Sequence, residues 1–198
     1  MNDAAGKLFI ISGPSGAGKS TVLRRVLEQS PVPARLSVSA TTRPPRPGEV
    51  AGRDYYFLSD DEFREKRRRG EFLEAKEVFG QGKWYGTLWE EVRSGWRAGQ
   101  AVILEIDVEG AMAVRDAVPD AVTIFLHPGP AEELEKRLRA RGTESDEEIA
   151  RRLATARREL EKLPLYQYEV INDDVDRAAG EICEILRREM SAPAENAT

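Results

Sequence analysis

The sequence has few of the features that mark a secreted or membrane-spanning protein. Among its 198 residues one is a cysteine, Cys183, so an intrachain disulfide is impossible and a reducing compartment is expected. No apolar run approaches the roughly 20 residues that a membrane span needs, and the polar residues 1–7 lack the apolar segment of a signal peptide. We therefore expect a cytoplasmic protein that has no membrane partner.

The sequence also lacks an excess of positive charge. The formal net charge is -5, from 30 Lys and Arg against 35 Asp and Glu, so no overall field would hold DNA or RNA and nucleic acid is not expected as a partner. An anionic ligand would have to be bound by local basic clusters. Neither a Ser/His/Asp triad nor a metal-binding cysteine cluster can be assembled around the single histidine, His127.

Apolar runs alternate with helical patterns along the chain, which predicts one doubly wound α/β domain with a parallel sheet. The runs 8–11, 101–104 and 121–126 show no polar alternation, as is typical of strands buried on both faces. A last short strand is predicted at 168–171. Helical spacing is found at 21–27, 108–118, 131–140 and 174–190.

The pattern changes between residues 37 and 90, where a Pro-rich loop is followed by mixed strands at 54–58 and 72–78. One short helix there is expected to begin at a capping box, Ser59 with Glu62, and to end at Gly70. We predict a mixed α+β lobe at 37–90, inserted in a core formed by 1–36, 91–130 and 164–190. A second capping box, Ser145 with Glu148, opens an arginine-rich helix at 149–163, so 131–163 is predicted to be a helical lid. Residues 191–198 are expected to form a flexible tail.

A segment after the first predicted strand fits the phosphate-loop pattern G-x-x-x-x-G-K-[ST] without deviation. Its glycines let the backbone curl so that N–H groups face phosphate oxygens at the positive end of the following helix. Lys19 is predicted to bridge the β- and γ-phosphates of a nucleoside triphosphate, and the Ser20 hydroxyl to bind Mg²⁺. An incidental Gly-rich turn is the alternative, although spacing and context both favour the phosphate loop. The predicted triphosphate-binding residues are Gly13, Pro14, Ser15, Gly16, Ala17, Gly18, Lys19, Ser20 and Thr21.

Two acidic residues, Glu105 and Asp107, follow the predicted strand at 101–104. The carboxyl ends of parallel strands border the ligand crevice, so either acid could hold Mg²⁺ through water. An acid at the end of a buried strand can also serve only solubility. The pattern does not choose between the two residues.

A Pro-rich segment contains two arginines, Arg43 and Arg46. Pro44, Pro45 and Pro47 favour polyproline II, which has three residues per turn, so both arginines would project from the same side. Guanidinium groups that face one way favour a bound phosphate, to which each can donate two hydrogen bonds. By spacing alone, two solvated loop arginines remain the better explanation.

Several separated segments, in order, closely resemble the guanylate kinase family. They are residues 37–50 (SVSATTRPPRPGEV), 52–57 (GRDYYF), 70–74 (GEFLE), 85–87 (YGT) and 141–143 (RGT). The resemblance covers nearly the whole chain, from residue 7 to about 190. It implies a P-loop kinase fold that transfers the γ-phosphoryl group of ATP to GMP with Mg²⁺ as cofactor.

The resemblance also implies the residues of a GMP site. The phosphate would be held by Arg43, Arg46, Tyr55 and Tyr85, guanine would be bound by Ser39, Glu74 and Thr87, and Asp107 would also belong to the site. Guanine presents two adjacent donors, N1–H and the N2 amine, which one carboxylate can accept together. Adenine presents an acceptor at N1 instead, so Glu74 would favour guanine.

Arginines of the predicted lid match family residues that reach the transferring phosphoryl group. Arg137 and Arg152 are expected to be catalytic together with Lys19, and Arg141 to bind ATP. Acidic residues four positions before Arg137 and Arg152 also fit surface ion pairs, so the catalytic role rests on the resemblance.

Two further roles are implied by the resemblance. Asn172 is expected to contact adenine, although an asparagine after a strand is often a turn residue or a helix cap. Glu105 aligns with a metal-site aspartate of some members and is expected to hold Mg²⁺ through water.

Three other functions fit parts of the sequence. Another nucleoside monophosphate kinase would share the phosphate loop, whereas a P-loop GTPase is disfavoured because the chain has no N-K-x-D segment. A guanylate-kinase-like module that binds phosphopeptides would typically have a degraded phosphate loop, and this loop is complete.

The lack of a general base fits transfer to GMP, because its phosphate oxygen is already ionised near neutral pH. The sequence does not decide between a monomer and a homodimer.

Overall fold

The computed structural model describes residues 6–78, 82–140 and 145–192, which form a parallel sheet with helices on both faces and a smaller mixed sheet. The strands are β1 (Lys7–Ser12), β2 (Ala34–Leu36), β3 (Ala40–Thr41), β4 (Tyr56–Phe57), β5 (Phe72–Val78), β6 (Lys83–Leu88), β7 (Ala101–Glu105), β8 (Val122–His127) and β9 (Tyr168–Ile171). The helices are α1 (Lys19–Gln29), α2 (Asp60–Arg68), α3 (Trp89–Arg97), α4 (Val108–Ala117), α5 (Ala131–Ala140), α6 (Asp146–Leu160) and α7 (Val175–Ser191).

The parallel sheet has the strand order β2-β7-β1-β8-β9, and each neighbouring pair runs parallel. The predicted strands at 8–11, 101–104, 121–126 and 168–171 are β1, β7, β8 and β9. The predicted P-loop kinase core is therefore confirmed. Strand β2 and helix α3 have no counterpart among the predicted elements.

Two hydrophobic clusters lie on opposite faces of this sheet. Phe9 and Ile11 of β1 pack with α1 and α7 on one face, and Leu8 and Ile10 pack with α3 and α4 on the other. Successive side chains of a strand point to opposite faces, so a continuous apolar run is needed when both faces are covered. This is the physical reason that the run at 8–11 has no polar residue.

The mixed sheet has the order β4-β3-β6-β5 and forms the predicted lobe. Helix α2 packs on it through Phe63, whose ring centroid lies 4.4 Å from that of Phe72. The predicted capping box is present: the Glu62 N–H donates to Ser59 Oγ at 3.2 Å, and the Ser59 N–H donates to Glu62 Oε2 at 2.7 Å. Gly70 follows the helix at a φ of 68°. The strand predicted at 54–58 is only Tyr56–Phe57, because residues 52–54 form a turn that a bridge between Ala51 and Tyr55 closes.

Helices α5 and α6 pack against each other through a third cluster, formed by Leu134, Leu138, Ile149 and Ala156. The capping box at Ser145 is present, and α6 begins at Asp146. The helix ends at Leu160, three residues before its predicted end, and a 3₁₀ turn containing Pro164 follows. Within the described ranges, no helix is both long enough and apolar enough to cross a bilayer.

Candidate active site

The phosphate loop connects β1 to α1 in a conformation that requires glycine. Gly13, Gly16 and Gly18 have φ values of 143°, 95° and 84°, which side chains strongly disfavour. A Cβ atom on Gly13 would lie 1.9 Å from the carbonyl oxygen of Leu126 in β8. The loop therefore lies directly against the sheet, where no side chain fits.

The Lys19 side chain turns back over this loop. Its Nζ donates hydrogen bonds to the carbonyl oxygens of Gly13 at 2.7 Å and Pro14 at 3.2 Å. Burial lowers the pKa of Lys19 from its ordinary value, while the carboxylates of Glu105 and Glu159 act in the opposite direction. An incoming phosphate would offer this desolvated ammonium group a stronger acceptor than the two carbonyl groups.

The first turn of α1 meets the end of β7 through a hydrogen bond between two side-chain oxygens. The Ser20 hydroxyl donates a hydrogen bond to Glu105 Oε1 at 2.6 Å, and Thr21 follows Ser20 in the helix. Asp107 instead caps α4, where its Oδ1 accepts the Gly110 N–H at 2.8 Å. Of the two acids that the sequence left open, Glu105 is thus the one in contact with Ser20. Hydroxyl and carboxylate oxygens are hard ligands of the kind that Mg²⁺ prefers.

Arg43 lies in an aromatic cage within the lobe. Its guanidinium carbon is 5.1 Å from the ring centroid of Tyr55 and 5.8 Å from that of Phe57, and Nε donates to the Tyr85 hydroxyl at 3.1 Å. The two terminal nitrogens donate to both carboxylate oxygens of Glu49, at 2.8 and 2.9 Å. The Arg43 side chain is only 12% exposed. Its planar fork already holds an anionic group in the bidentate geometry that also fits a phosphate.

Arg46 lies on the exposed loop that follows. Its backbone N–H donates to Glu49 Oε2 at 2.7 Å. The hydrogen bonds from Arg43, and next the one from Arg46, hold the pKa of Glu49 at about 2. Glu49 therefore contacts both predicted phosphate-binding arginines. That the guanidinium groups of Arg43 and Arg46 project from the same side of the loop stays a prediction.

Glu74 and Thr87 face each other across the β5–β6 hairpin. The Thr87 hydroxyl donates to Glu74 Oε1 at 2.9 Å. Burial raises the pKa of Glu74 above its ordinary value, which the hydrogen bond from Thr87 partly offsets, and the nearby charge of Asp107 raises it further. A Cβ atom on Gly86, between Tyr85 and Thr87, would lie 2.7 Å from the Glu74 carbonyl oxygen. Glycine at 86 thus allows the two strands to approach beside this carboxylate.

Ser39 lies just before β3, at the start of the lobe. Its carbonyl oxygen accepts the Tyr56 N–H at 2.9 Å, which joins the segment to β4. The Tyr55 and Tyr85 rings are 5.9 Å apart in an edge-to-face contact. The lobe therefore brings the predicted phosphate and guanine residues onto one small sheet and its loops.

The two predicted catalytic arginines, on α5 and α6, reach the region of the phosphate loop. Arg137 donates to the Asn172 carbonyl oxygen at 2.7 Å, and its Nε pairs with Glu133 at 3.0 Å. The Arg152 guanidinium donates to the Ser15 hydroxyl of the phosphate loop at 3.1 Å. Arg137 thus forms the ion pair with Glu133 that its spacing predicts. In addition, Arg137 contacts the end of β9 and Arg152 contacts the phosphate loop, which an ion pair at the surface alone would not require.

Asn172 braces the phosphate loop from the end of β9. Its side chain is buried, with the residue 2% exposed, and Nδ2 donates to the Ala17 carbonyl oxygen at 2.7 Å. A Cβ atom on Gly18 would lie 2.6 Å from the same nitrogen. Asp174, and not Asn172, caps α7. The adenine contact of Asn172 stays a prediction, and Arg141 lies outside the described residues.

Comparison with known proteins decides the family. Residues 5–189 match the family model described as guanylate kinase. The guanylate kinase of Rhodopirellula baltica is 58% identical over 182 residues, which are 91% of this chain and 87% of that protein. That of Rubrobacter xylanophilus is 50% identical over 183 residues, or 92% of this chain and 94% of the relative. The chain belongs to the guanylate kinase family.

A solved guanylate kinase has the same fold. The crystal structure of guanylate kinase from Anaplasma phagocytophilum matches with a TM-score of 0.74 and 31% identity, and the match covers 95% of this chain and 88% of that one. The resemblance inferred from separated segments is therefore confirmed as family membership. The roles of individual residues in this chain remain predictions.

Three polar residues of this chain have no role that the sequence predicts. Glu49 holds Arg43, and Lys76 joins the lobe to the core. Glu91 of α3, only 9% exposed, accepts hydrogen bonds from the Arg35 guanidinium and the Tyr56 hydroxyl. Each makes its contact with residues distant in sequence or in a loop, so no local spacing pattern could have found it.

Proposed function

We propose that this member of the guanylate kinase family transfers the γ-phosphoryl group of ATP to GMP, forming ADP and GDP. The observation that carries the proposal is the combination of a complete phosphate loop with a lobe that holds both a caged arginine and a partly buried carboxylate. The loop suits the triphosphate of a donor, and the lobe suits the phosphate and base of an acceptor. Family membership supports the same reaction.

Glu74 is proposed to select guanine as the acceptor base. With Thr87 bonded to Oε1, the carboxylate keeps acceptor capacity for the N1–H and the N2 amine of guanine. A purine with an acceptor at N1 would leave this partly buried carboxylate unpaired, which is costly. Ser39 and Asp107 complete the proposed base side of the pocket.

Arg43 and Arg46, with the hydroxyls of Tyr55 and Tyr85, are proposed to hold the phosphate of GMP. The cage around Arg43 supports this role because it fixes the guanidinium plane before any ligand arrives. A fixed fork loses little side-chain entropy when it binds a phosphate. The Tyr85 hydroxyl would bind the phosphate and also helps to hold Arg43, because it accepts a hydrogen bond from Arg43 Nε at 3.1 Å.

Mg²⁺ is proposed to bind beside the triphosphate, held by Ser20 and, through water, by Glu105. The 2.6 Å contact between their oxygens supports a shared ligand position. When bound, the ion would neutralise charge on the β- and γ-phosphate oxygens. Lys19 would place its ammonium group on the same oxygens from the loop side.

Phosphoryl transfer is proposed to depend on positioning and on charge neutralisation, because the attacking oxygen of GMP is already ionised. Arg137 and Arg152 would bring positive charge to the transferring group as α5 and α6 close over it. Closure would also exclude water that could otherwise hydrolyse ATP. Asn172 and Arg141 are proposed to bind the donor nucleotide.

The single cysteine and the net charge support proposals on the cellular location of the protein and on its ligands. The single cysteine, Cys183, is buried at 6% exposure, which suits a reducing cytoplasm. The net charge of -5 supports small nucleotides, and not nucleic acid, as the ligands.

The test is ADP formation from ATP and Mg²⁺ with GMP, AMP, UMP and CMP in turn. We expect GMP alone to support rapid turnover. Equal use of AMP or UMP would instead indicate a different nucleoside monophosphate kinase and remove the role of Glu74. Lys19→Ala should abolish turnover and leave GMP binding, measured by calorimetry, largely intact. Binding of phosphopeptides without any turnover would favour the non-catalytic module.

A further inference from the structure

Lys76 connects the lobe to the core at the guanine side of the proposed pocket. It lies on β5, and its Nζ is 3.1 Å from Asp107 Oδ2 and 2.5 Å from Glu109 Oε2, at the start of α4. The side chain is 35% exposed. Asp107 is held from the other side, because its Oδ1 accepts the Gly110 N–H at 2.8 Å. Both oxygens of the Asp107 carboxylate are therefore oriented, one by its own helix and one by the lobe.

Glu74 and Asp107 lie close together in this arrangement. A Cβ atom built on Gly110 would be 3.5 Å from Asp107 Oδ1 and 3.6 Å from Glu74 Oε2, so both carboxylates border one small space. The two carboxylates repel each other, since the charge of Asp107 contributes to the raised pKa of Glu74. A cation beside them offsets this repulsion and lets both carboxylates keep their orientation.

Lys76 is well placed to supply that cation. It follows Glu74 by two residues on β5, so both side chains leave the same face of the strand. Its neighbours on the other elements are acidic: Asp107 at the N-cap of α4, Glu109 in the first turn of α4, and Glu159 on α6. Burial lowers the pKa of Lys76, but hydrogen bonds and charge from Glu109 and Asp107 raise it more, so the ammonium form persists at neutral pH.

We propose that Lys76 is a positioning residue for guanine specificity, which fixes the Asp107 carboxylate next to Glu74 so that the two acids together accept the N2 amine of guanine. The amine has two hydrogens, and a single carboxylate that also accepts N1–H can take only one of them. The second acceptor would be Asp107, held by Lys76. This inference rests on the proposed GMP site.

The competing explanation is an ion pair that stabilises the lobe and has no effect on base selection. The two explanations differ in the ratio of kcat/KM for GMP to kcat/KM for inosine monophosphate, which lacks the N2 amine. Weaker folding lowers the amount of active enzyme and so changes both values equally. Loss of an acceptor for the amine lowers the value for GMP alone, and hence the ratio.

The experiment compares this ratio in the wild-type enzyme and in K76M, K76R and K66M. Lys66 is a matched control, because it is 36% exposed and forms an ion pair at 2.6 Å with Glu71, but within the lobe. We expect the ratio to fall about threefold to tenfold in K76M, as for one lost hydrogen bond. It should recover in K76R, which restores the cation, and stay unchanged in K66M.

Glu74→Gln separates failure of this inference from failure of the proposed base site. If E74Q lowers the ratio and K76M does not, the base site stands and the role proposed for Lys76 is wrong. If neither variant lowers it, neither acid accepts the N2 amine, and the inference falls together with the part of the base site that would bind this amine. A fall in K66M equal to that in K76M would also overturn the proposal, since it would indicate a general effect on the lobe.

Discussion

Replacing Glu74 by glutamine tests the proposed base reader most directly. The substitution keeps the size of the side chain and leaves an oxygen that can accept the Thr87 hydroxyl, now 2.9 Å from Glu74 Oε1. It removes the negative charge and puts an NH₂ group where the second carboxylate oxygen stood. That group is a donor, and it would face the N1–H or the N2 amine of guanine, which are donors too.

The expected loss follows from the charge-assisted hydrogen bond that is removed. Such bonds contribute about 1.5 to 3 kcal/mol each, which corresponds to a rise of roughly 10-fold to 150-fold in KM for GMP. The KM for ATP should change by less than about threefold, because Glu74 belongs to the lobe and the triphosphate is proposed to bind at the phosphate loop.

The same substitution should stabilise the protein in the absence of nucleotides at neutral pH. Burial raises the pKa of Glu74 in the folded state above its ordinary value of 4.5, so folding favours the protonated form. That contribution to stability is complete below the ordinary pKa and is lost as pH rises through the raised one. At pH 7 the ionised Glu74 therefore costs stability, which glutamine would recover. At pH 4 the stabilities of the two proteins should converge.

Coupled assays of ADP formation and thermal unfolding at pH 4 and pH 7 check both expectations. In the wild-type enzyme, kcat/KM for GMP should also fall on acidification at a pH above the usual glutamate range, and E74Q should lack this step. Equal losses for GMP and ATP would refute the base-reading role. A lower melting temperature of E74Q at pH 7 would refute the argument from desolvation.

Two further substitutions test the geometry of the lobe. Gly86→Ala would place a methyl group 2.7 Å from the Glu74 carbonyl oxygen, so we expect a lower melting temperature and a KM for GMP raised by about tenfold or more, measured by the same assays. An unchanged KM would show that the close approach of the two strands is not needed. Glu49→Gln would break the bidentate pair with Arg43, and calorimetry should give a three- to tenfold weaker binding of GMP; tighter binding would mean that Glu49 competes with the phosphate.

Strands β1, β7 and β8 of the core could be predicted because consecutive residues in each of them are buried and therefore mostly apolar. Phe9 and Ile11 face one side of the sheet and Leu8 and Ile10 the other, so the run has to be apolar throughout. The capping box at Ser59 is equally local, since both partners lie within four residues. Strand β2 could not be found in this way, because its three residues are only partly buried and carry no distinctive pattern.

The phosphate loop was determined by the sequence alone, because the backbone conformation at Gly13, Gly16 and Gly18 admits almost no other residue and the whole motif is contiguous. Resemblance to a family could likewise be read from short ordered segments. The contacts that surround this loop were decided only by the tertiary structure. Arg152 reaches Ser15, and Asn172 reaches Ala17, across long stretches of chain. The reason is physical: a side chain's local spacing limits which face it occupies, but its partner depends on how distant elements pack together.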